Sequence, residues 1–127
     1  MRSTDKSRVA EMIASTLRAS GKRVGVYNSP HLMHWSEAVM INGAPDMDGW
    51  RGSMDAIQAA LGDVEGVRGR YTAFEASCAA MWLQLARAHV DYAVVEAGVG
   101  GRRDACIYVS MYLCIYCLLY TSPSPRD

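Results

Sequence analysis

The sequence predicts an α/β fold in which helices flank a parallel sheet. Segments with helical periodicity alternate with short apolar, strand-like segments, which is typical of βαβ units. Half of the 127 residues are hydrophobic and a fifth are charged. A chain of this length and composition has enough apolar side chains for one buried core. We therefore expect a single α/β domain.

Three segments have the spacing of helices. Apolar side chains recur at helical intervals in residues 9–20 and, more weakly, in residues 46–61, where two internal glycines lower the helix propensity. The third segment begins after Thr72, an expected N-cap, and runs to about residue 89. Its predicted apolar stripe consists of Phe74, Cys78, Met81 and Leu85.

The predicted strands are residues 23–27, 39–41 and 91–96. Each is short and rich in Val, Ile, Tyr or Ala. The dipeptide Asn42-Gly43 is a turn signal that closes the second strand. The third is expected to be a buried strand that ends in a carboxylate, Glu96.

Three polar side chains stand next to these elements. Ser29 follows the first strand, Glu96 ends the third, and Lys6 lies just before the first helix. Open α/β sheets bind ligands beyond the carboxyl ends of their strands, and a helix N-terminus favours anions. A lysine, a hydroxyl and a carboxylate on one rim are the groups of a nucleotide–Mg²⁺ site. Only the glutamate is unusual by itself, because burying it without a partner is costly.

The charge and cysteine content exclude several classes of protein. The 13 basic residues equal the 13 acidic ones, so no nucleic-acid partner is expected. The four cysteines are too few and too unevenly placed for a disulfide scaffold and are interpreted as reduced thiols. No signal peptide is recognised, and the apolar run at 106–120 is shorter than a membrane helix needs. We expect a cytoplasmic protein without a membrane partner.

Several sequence motifs occur together in a fixed order. They are Tyr-Asn-Ser-Pro-His-Leu at 27–32, Glu37, Ile-Asn-Gly at 41–43, Thr-Ala-Phe-Glu at 72–75, and Val-Glu-Ala-Gly-Val-Gly-Gly-Arg at 95–102 followed by Asp-Ala at 104–105. Together they resemble the N-terminal ATPase domain of the folylpolyglutamate synthase and dihydrofolate synthase family, in the Mur ligase superfamily. The resemblance covers residues 2–105 and implies a partial P-loop-type parallel sheet, that is, an incomplete Mur-ligase ATPase domain at 1–105.

The resemblance implies an ATP-dependent ligase of folate biosynthesis and one-carbon metabolism. Such an enzyme phosphorylates a carboxylate of dihydropteroate or folate, and the amino group of L-glutamate then attacks the acyl phosphate. The implied cofactors are ATP and Mg²⁺, which neutralises charge on the phosphates. The full-length parent is expected to be a monomer.

The same resemblance assigns roles to individual residues. Ser29 and Glu96 are implied as Mg²⁺ ligands and Lys6 as the ATP-binding lysine. The residues implied to border the folate substrate are Pro30, His31, Leu32 and Asp104. His31 is equally well explained as a turn residue. Glu75 is explained either as a residue behind the site or as a carboxylate that interacts with a helix dipole.

The phosphate loop departs from the family pattern Gly-Thr-Asn-Gly-Lys-Gly-Ser. Aligned through Lys6, this chain has Arg2, Ser3, Thr4, Asp5, Lys6, Ser7 and Arg8. It lacks every loop glycine, and glycines allow the positive φ angles and the close backbone approach that phosphates require. Asp5 adds a negative charge, and Arg8 replaces a hydroxyl. Sequence error and true loss of the loop both explain this pattern, and we expect no ligase turnover from the 127-residue chain.

The C-terminal segment differs from the rest of the chain. Residues 106–116 lack a helical or alternating pattern and are treated as doubtful sequence, and residues 117–127 resemble one reading frame of a transposon-end adapter from sequencing libraries. The expected function is therefore that of a ligase fragment. The alternatives are a non-catalytic domain that acts as an interaction module and a fragment of a cell-wall Mur-type ligase.

Overall fold

A mixed sheet with helices on both faces organises the chain. The computed structural model describes residues 3–28, 37–63 and 69–97, and the strand order in this part is β3-β2-β1-β4. In chain order the elements are α1 (Ser3–Ala19), β1 (Val24–Tyr27), β2 (Val39–Ile41), β3 (Ala44–Pro45), α2 (Met47–Asp63), α3 (Ala73–Arg87) and β4 (Tyr92–Val95). The predicted α/β class is confirmed, and every predicted helix and strand is present.

The sheet is not parallel throughout, so the prediction of a parallel sheet is only half right. β1 and β4 are parallel, whereas β1–β2 and β2–β3 are antiparallel pairs. For β2 and β3 the cause lies in the turn between them, where Asn42 and Gly43 have φ angles of 50° and 84°. Two successive residues with positive φ make a tight hairpin, and a hairpin joins only antiparallel strands.

The two faces of the sheet carry different helices. On one face, Val24 and Val26 of β1 pack with Ala14 of α1. On the other, Tyr27 of β1 and Val39 of β2 pack against α2 and α3. The side chains that α2 and α3 bury in this second cluster are Trp50, Cys78, Ala80, Met81 and Leu85. Successive strand residues thus alternate between the faces, as the pleat of a sheet requires.

Helix α1 begins earlier than its apolar periodicity indicates. The predicted start was residue 9, but residues 3–8 are also helical, so Lys6 lies inside the helix and not before it. The physical reason is that residues 3–8 contain no Gly or Pro, while Ser, Thr and Asp are favoured at helix N-termini. The phosphate-loop stretch of the sequence therefore forms the first turns of α1.

Helix α3 is held at its N-terminus by a capping box. Thr72 is the N-cap, as predicted: its Oγ1 accepts a hydrogen bond from the Glu75 backbone N–H, and the Thr72 backbone N–H donates to Glu75 Oε2 at 2.7 Å. The backbone N–H and the hydroxyl of Thr72 both donate to Glu75 Oε2, and these two hydrogen bonds lower the pKa of the Glu75 carboxyl. Phe74, which was predicted in the buried stripe, is 37% exposed, because it lies in the first turn, before α3 reaches the core.

Gly25 allows α3 to lie directly on the sheet. A Cβ atom at this position would overlap Cδ2 of Leu85 and approach Cγ1 of Val90 to 3.3 Å. Gly25 belongs to β1 and is in register with Ala93 of β4. The packing distance between α3 and the sheet therefore depends on the absence of a side chain here.

The N-terminus of α2 is fixed by a second polar contact. Asp46 Oδ1 accepts a hydrogen bond from the Gly49 backbone N–H, and the buried Gln84 Nε2 donates to the Asp46 carbonyl oxygen at 2.8 Å and to Oδ2 at 3.1 Å. A Cβ atom at position 49 would collide with the Asp46 carboxylate. Gly49 lowers helix propensity, yet it is the residue that lets this cap close.

Candidate functional site

The carboxyl ends of the two parallel strands meet at one edge of the sheet. Tyr27 of β1 is in register with Val95 of β4, and the Glu96 backbone N–H donates to the Tyr27 carbonyl oxygen at 2.9 Å. The residues that follow both strands therefore leave the sheet at the same level. This is the edge at which open α/β sheets bind ligands.

Glu96 is buried at this edge and is bound by the first turns of α1. The residue is 5% exposed. Ser7 Oγ donates to Glu96 Oε2 at 2.7 Å, and Lys6 Nζ lies 3.9 Å from Oε1. Lys6 Nζ also donates to the Ala97 carbonyl oxygen at 3.0 Å. We call Lys6, Ser7 and Glu96 the Glu96 cluster.

The two charged side chains of the Glu96 cluster differ in their exposure to solvent. The Glu96 side chain is 2% exposed, whereas that of Lys6 is 34% exposed and remains in contact with solvent. A buried carboxylate is tolerated when a cation and hydrogen bonds compensate its lost hydration. Among the described residues, one oxygen has a short hydrogen bond, and the other has only a distant ammonium group.

Oε1 of Glu96 has coordination capacity left. It is buried and accepts no hydrogen bond within the described residues. Carboxylate and hydroxyl oxygens are the ligands that Mg²⁺ prefers, and Mg²⁺ takes only one or two carboxylates from the protein beside nucleotide phosphates. The Glu96 cluster therefore fits a divalent cation. The described residues contain no group of three or more His, Cys, Asp or Glu that would form an all-protein metal cage.

The first turn of α1 fits a phosphate less well. The backbone N–H groups of a helix N-terminus attract anions, and the N-terminal part of α1 lies at the Glu96 cluster. A loop that wraps around phosphates needs positive φ angles, however, and residues 3–8 are helical and lack glycine. A nucleotide would meet a helix end here and not an enclosing loop.

Part of the site predicted from the sequence lies outside the described residues. Lys6 and Glu96, which were expected at one rim, are in contact. The predicted site residues outside the described part of the chain are Arg2, Ser29, Pro30, His31, Leu32 and Asp104. Ser3, Thr4 and Asp5 are helical, and Arg8 is exposed. Glu75 forms the α3 capping box, which agrees with its interpretation as a helix-terminus carboxylate.

Sequence reasoning overlooked the contact between Ser7 and Glu96. It treated Ser7 only as a residue that replaces a glycine, because residues 7 and 96 are far apart in sequence and no local pattern links them. The signal that was available is the dipeptide Lys-Ser at a helix start, which also ends the general P-loop pattern.

Two further observations concern the cysteines and the described helices. Cys78 is a reduced thiol on the buried face of α3, and the other cysteines lie outside the described residues. None of the described helices is both long and apolar enough to span a membrane.

Comparisons with known proteins identify enzymes whose sequences are similar to this chain. No family model matches the chain. The chain is 36% identical over 103 residues to the dihydrofolate synthase/folylpolyglutamate synthase of Escherichia coli, covering 79% of this chain and 23% of that enzyme. It is 35% identical over 103 residues to the folylpolyglutamate synthase of Lacticaseibacillus casei, covering 79% of this chain and 24% of that enzyme. The chain thus spans about a quarter of the length of these relatives.

Solved structures of such enzymes share the fold. Mycobacterium tuberculosis folylpolyglutamate synthase, complexed with ADP and AMPPCP, superposes with a TM-score of 0.73 at 31% identity, over 80% of this chain and 24% of that one. Escherichia coli FolC, in complex with DHPP and ADP, superposes with a TM-score of 0.71 at 31% identity, over 84% of this chain and 24% of that one. The mixed sheet and its flanking helices therefore occur in enzymes that hold an adenine nucleotide.

Proposed function

We propose that this chain, which is related to the folylpolyglutamate synthases and dihydrofolate synthases over 79% of its length, is the part of such a ligase that holds Mg²⁺ and the phosphates of ATP. The reaction of the whole enzyme is the ATP-dependent addition of L-glutamate to dihydropteroate or to a folate. We further propose that the parent enzyme is cytoplasmic and acts as a monomer.

The observation that carries the proposal is the Glu96 cluster. A buried carboxylate ends β4 beside the end of β1, and the first turns of α1 bring a lysine and a hydroxyl to it. Burying a carboxylate in this way is costly for stability, and such groups are concentrated at functional sites. The position at the carboxyl ends of parallel strands agrees with a ligand site.

The acidic and basic residues of the site have different proposed roles. Glu96 Oε1, together with the Ser29 hydroxyl, would hold Mg²⁺, which supplies positive charge to the phosphates of ATP. Lys6 would turn its ammonium group from Ala97 towards the phosphates, because it is the exposed member of the Glu96 cluster. The N-terminal N–H groups of α1 would add a positive field at the same edge.

The chemical steps occur between the substrates. A carboxylate oxygen of the pteroate or folate substrate attacks the γ-phosphorus, and the bond to ADP breaks. The amine of L-glutamate then attacks the acyl carbon, phosphate leaves, and the amine proton passes to solvent or base. The segment with Pro30, His31 and Leu32, and Asp104, would border the pterin-bearing substrate. The protein's contribution is to position these reactants and to stabilise the transferred charge.

The 127-residue chain by itself should show no turnover, because it spans about a quarter of the related enzymes. A coupled assay of ADP release with ATP, L-glutamate and dihydropteroate or folate checks this expectation. Substrate-dependent ADP release by the purified chain would contradict it.

A chimera tests the proposed function directly. The 103-residue segment of the Escherichia coli enzyme that aligns with this chain would be replaced by the corresponding residues of this chain. Two versions are compared: one with the chain's own residues, and one that carries Arg2→Gly and Asp5→Gly. We expect glutamate-dependent ADP release from the glycine-restored chimera, lost on Glu96→Gln. A folded chimera that binds ATP, L-glutamate and the pteroate or folate substrate but never turns over, even with the two glycines, would refute the proposal.

A second function is favoured by one observation. Residues 3–8 form a glycine-free helix, so the domain could keep the fold and serve as an interaction module without nucleotide. ADP binding separates the two functions: an interaction module stays unable to bind ADP after Arg2→Gly and Asp5→Gly, whereas the ligase part gains affinity. The cell-wall alternative has no support among the relatives described above, which are named for folate substrates.

A further inference from the structure

We infer that Ser7 is a positioning residue that holds the Glu96 carboxylate in the orientation required by a divalent cation; this inference rests on the metal role proposed for Glu96. The family pattern has a serine at position 8, where this chain has Arg8. Ser7, one residue earlier in the same helix, instead brings a hydroxyl group to Glu96.

The first step is the difference between the two contacts of Glu96. The bond from Ser7 Oγ to Oε2 is 2.7 Å long, whereas Lys6 Nζ lies 3.9 Å from Oε1. Only the Ser7 contact is within hydrogen-bond distance. Ser7 therefore fixes the rotation of the carboxylate plane, and Lys6 contributes charge without a directional bond.

The second step is the rigidity of the group that donates. Ser7 lies on α1, and α1 packs against β1 and β4 through Ala14, Leu17 and Val94. Glu96 follows β4 directly, and its backbone N–H is bonded to Tyr27. Donor and acceptor are thus both held by packed elements of secondary structure, and such support keeps a site within the narrow geometry that function needs.

The third step concerns the oxygen that is left. With Oε2 engaged by Ser7, Oε1 is the buried oxygen without a hydrogen bond in the described part of the chain. A cation bound at Oε1 would repel the Lys6 ammonium, which agrees with the proposed turn of Lys6 from the Ala97 carbonyl oxygen towards the phosphates. Ser7 would not touch the cation; it acts through Glu96, as outer-shell partners of metal ligands do.

The experiment measures Mn²⁺ affinity on the full 127-residue chain. Free Mn²⁺ is followed by electron paramagnetic resonance during titration, with and without ADP, for the parent chain and for Ser7→Ala, Ser7→Thr and Glu96→Gln. The matched control is Ser15→Ala, because Ser15 is a serine of the same helix whose hydroxyl also donates to a glutamate, the exposed Glu11. Thermal melting without metal reports any change in folding.

We expect Ser7→Ala to weaken Mn²⁺ binding by about 10- to 100-fold, the range for loss of an outer-shell partner. Ser7→Thr keeps the hydroxyl and should restore the affinity, Ser15→Ala should leave it unchanged, and Glu96→Gln should abolish it. These changes should appear even among variants whose melting temperatures agree.

The outcomes separate this inference from the proposed function. If Ser7→Ala binds Mn²⁺ as the parent does while Glu96→Gln does not, the positioning role is wrong and the metal role of Glu96 stands. Failure of Ser7→Thr to rescue would also overturn the positioning role. If Glu96→Gln keeps full affinity, or the parent shows no saturable binding, both the metal role and this inference are wrong.

Discussion

Replacing Gly25 by alanine should destabilise the whole fold, because α3 leaves no room for a side chain on this part of β1. The added Cβ would overlap Leu85 Cδ2 and come within 3.3 Å of Val90 Cγ1 and 3.6 Å of Ile41 Cδ1. Leu85 is 2% exposed in the centre of the core. It cannot move aside without displacing its neighbours.

The expected magnitude follows from two opposing effects. Overpacking a well-filled core costs about 1–3 kcal/mol. Alanine also reduces the freedom of the unfolded chain, which favours folding by about 0.5–1 kcal/mol. The steric effect is larger, so Gly25→Ala should lower the free energy of unfolding by about 1–2 kcal/mol.

Urea denaturation followed by circular dichroism measures this change. Gly52→Ala is the matched control, because a Cβ atom added there would have no neighbouring atom within 4 Å, and alanine in that helix should stabilise the fold by about 1 kcal/mol. Leu85→Ala removes the colliding atom, so the Gly25→Ala/Leu85→Ala double variant should be more stable than the sum of the single effects predicts. A Gly25→Ala chain as stable as the parent, or strictly additive effects, would refute the steric explanation.

Other predictions concern polar contacts of the helices. Asp46→Ala should lower the free energy of unfolding by about 1–2 kcal/mol in urea titration, since α2 loses its N-cap and the buried Gln84 loses an acceptor; an unchanged midpoint would contradict this. The pKa of Glu75 is lowered in the folded state, so its contribution to stability is present above the unfolded pKa and is lost as the pH falls through the folded pKa. Acid titration of thermal stability should therefore show a smaller decrease in Thr72→Ala than in the parent, and equal decreases would count against the capping box.

Local chemistry was sufficient to predict most elements of the fold. Sequence patterns located the three helices and the strands β1, β2 and β4, and Thr72 marked the start of α3 correctly, whereas the two-residue strand β3 was missed. The proximity of Lys6 and Glu96 also followed from the sequence, because Glu96 was expected at the carboxyl end of a strand and Lys6 at a helix N-terminus beside the same rim. That inference needed topology alone and no knowledge of side-chain packing.

The errors have physical causes of two kinds. The predicted parallel pairing holds for β1 and β4. The antiparallel β2–β3 pair was missed because the Asn42-Gly43 signal was used to end β2 and was not followed to the hairpin it requires. The start of α1 was missed because the prediction followed the apolar periodicity, which begins only at residue 9. The Ser7–Glu96 bond was missed because a side-chain contact between residues 89 positions apart has no local signature. Phe74 was misassigned because a helical stripe does not show where along the helix the core begins.

The Glu96 cluster joins the first and last described elements of the chain, which has a consequence for the order of folding. Its two halves are separated by 89 residues, and β4 reaches its place beside β1 only after α2 and α3 have been made. During synthesis from the N-terminus, Lys6 and Ser7 of α1 therefore lack the Glu96 carboxylate until nearly all of the described chain has been translated. Contacts of such long sequence separation form slowly. A signal from the Ser7–Glu96 pair would thus report the completion of folding, and a chain stopped before β4 would leave Lys6 and Ser7 without this partner.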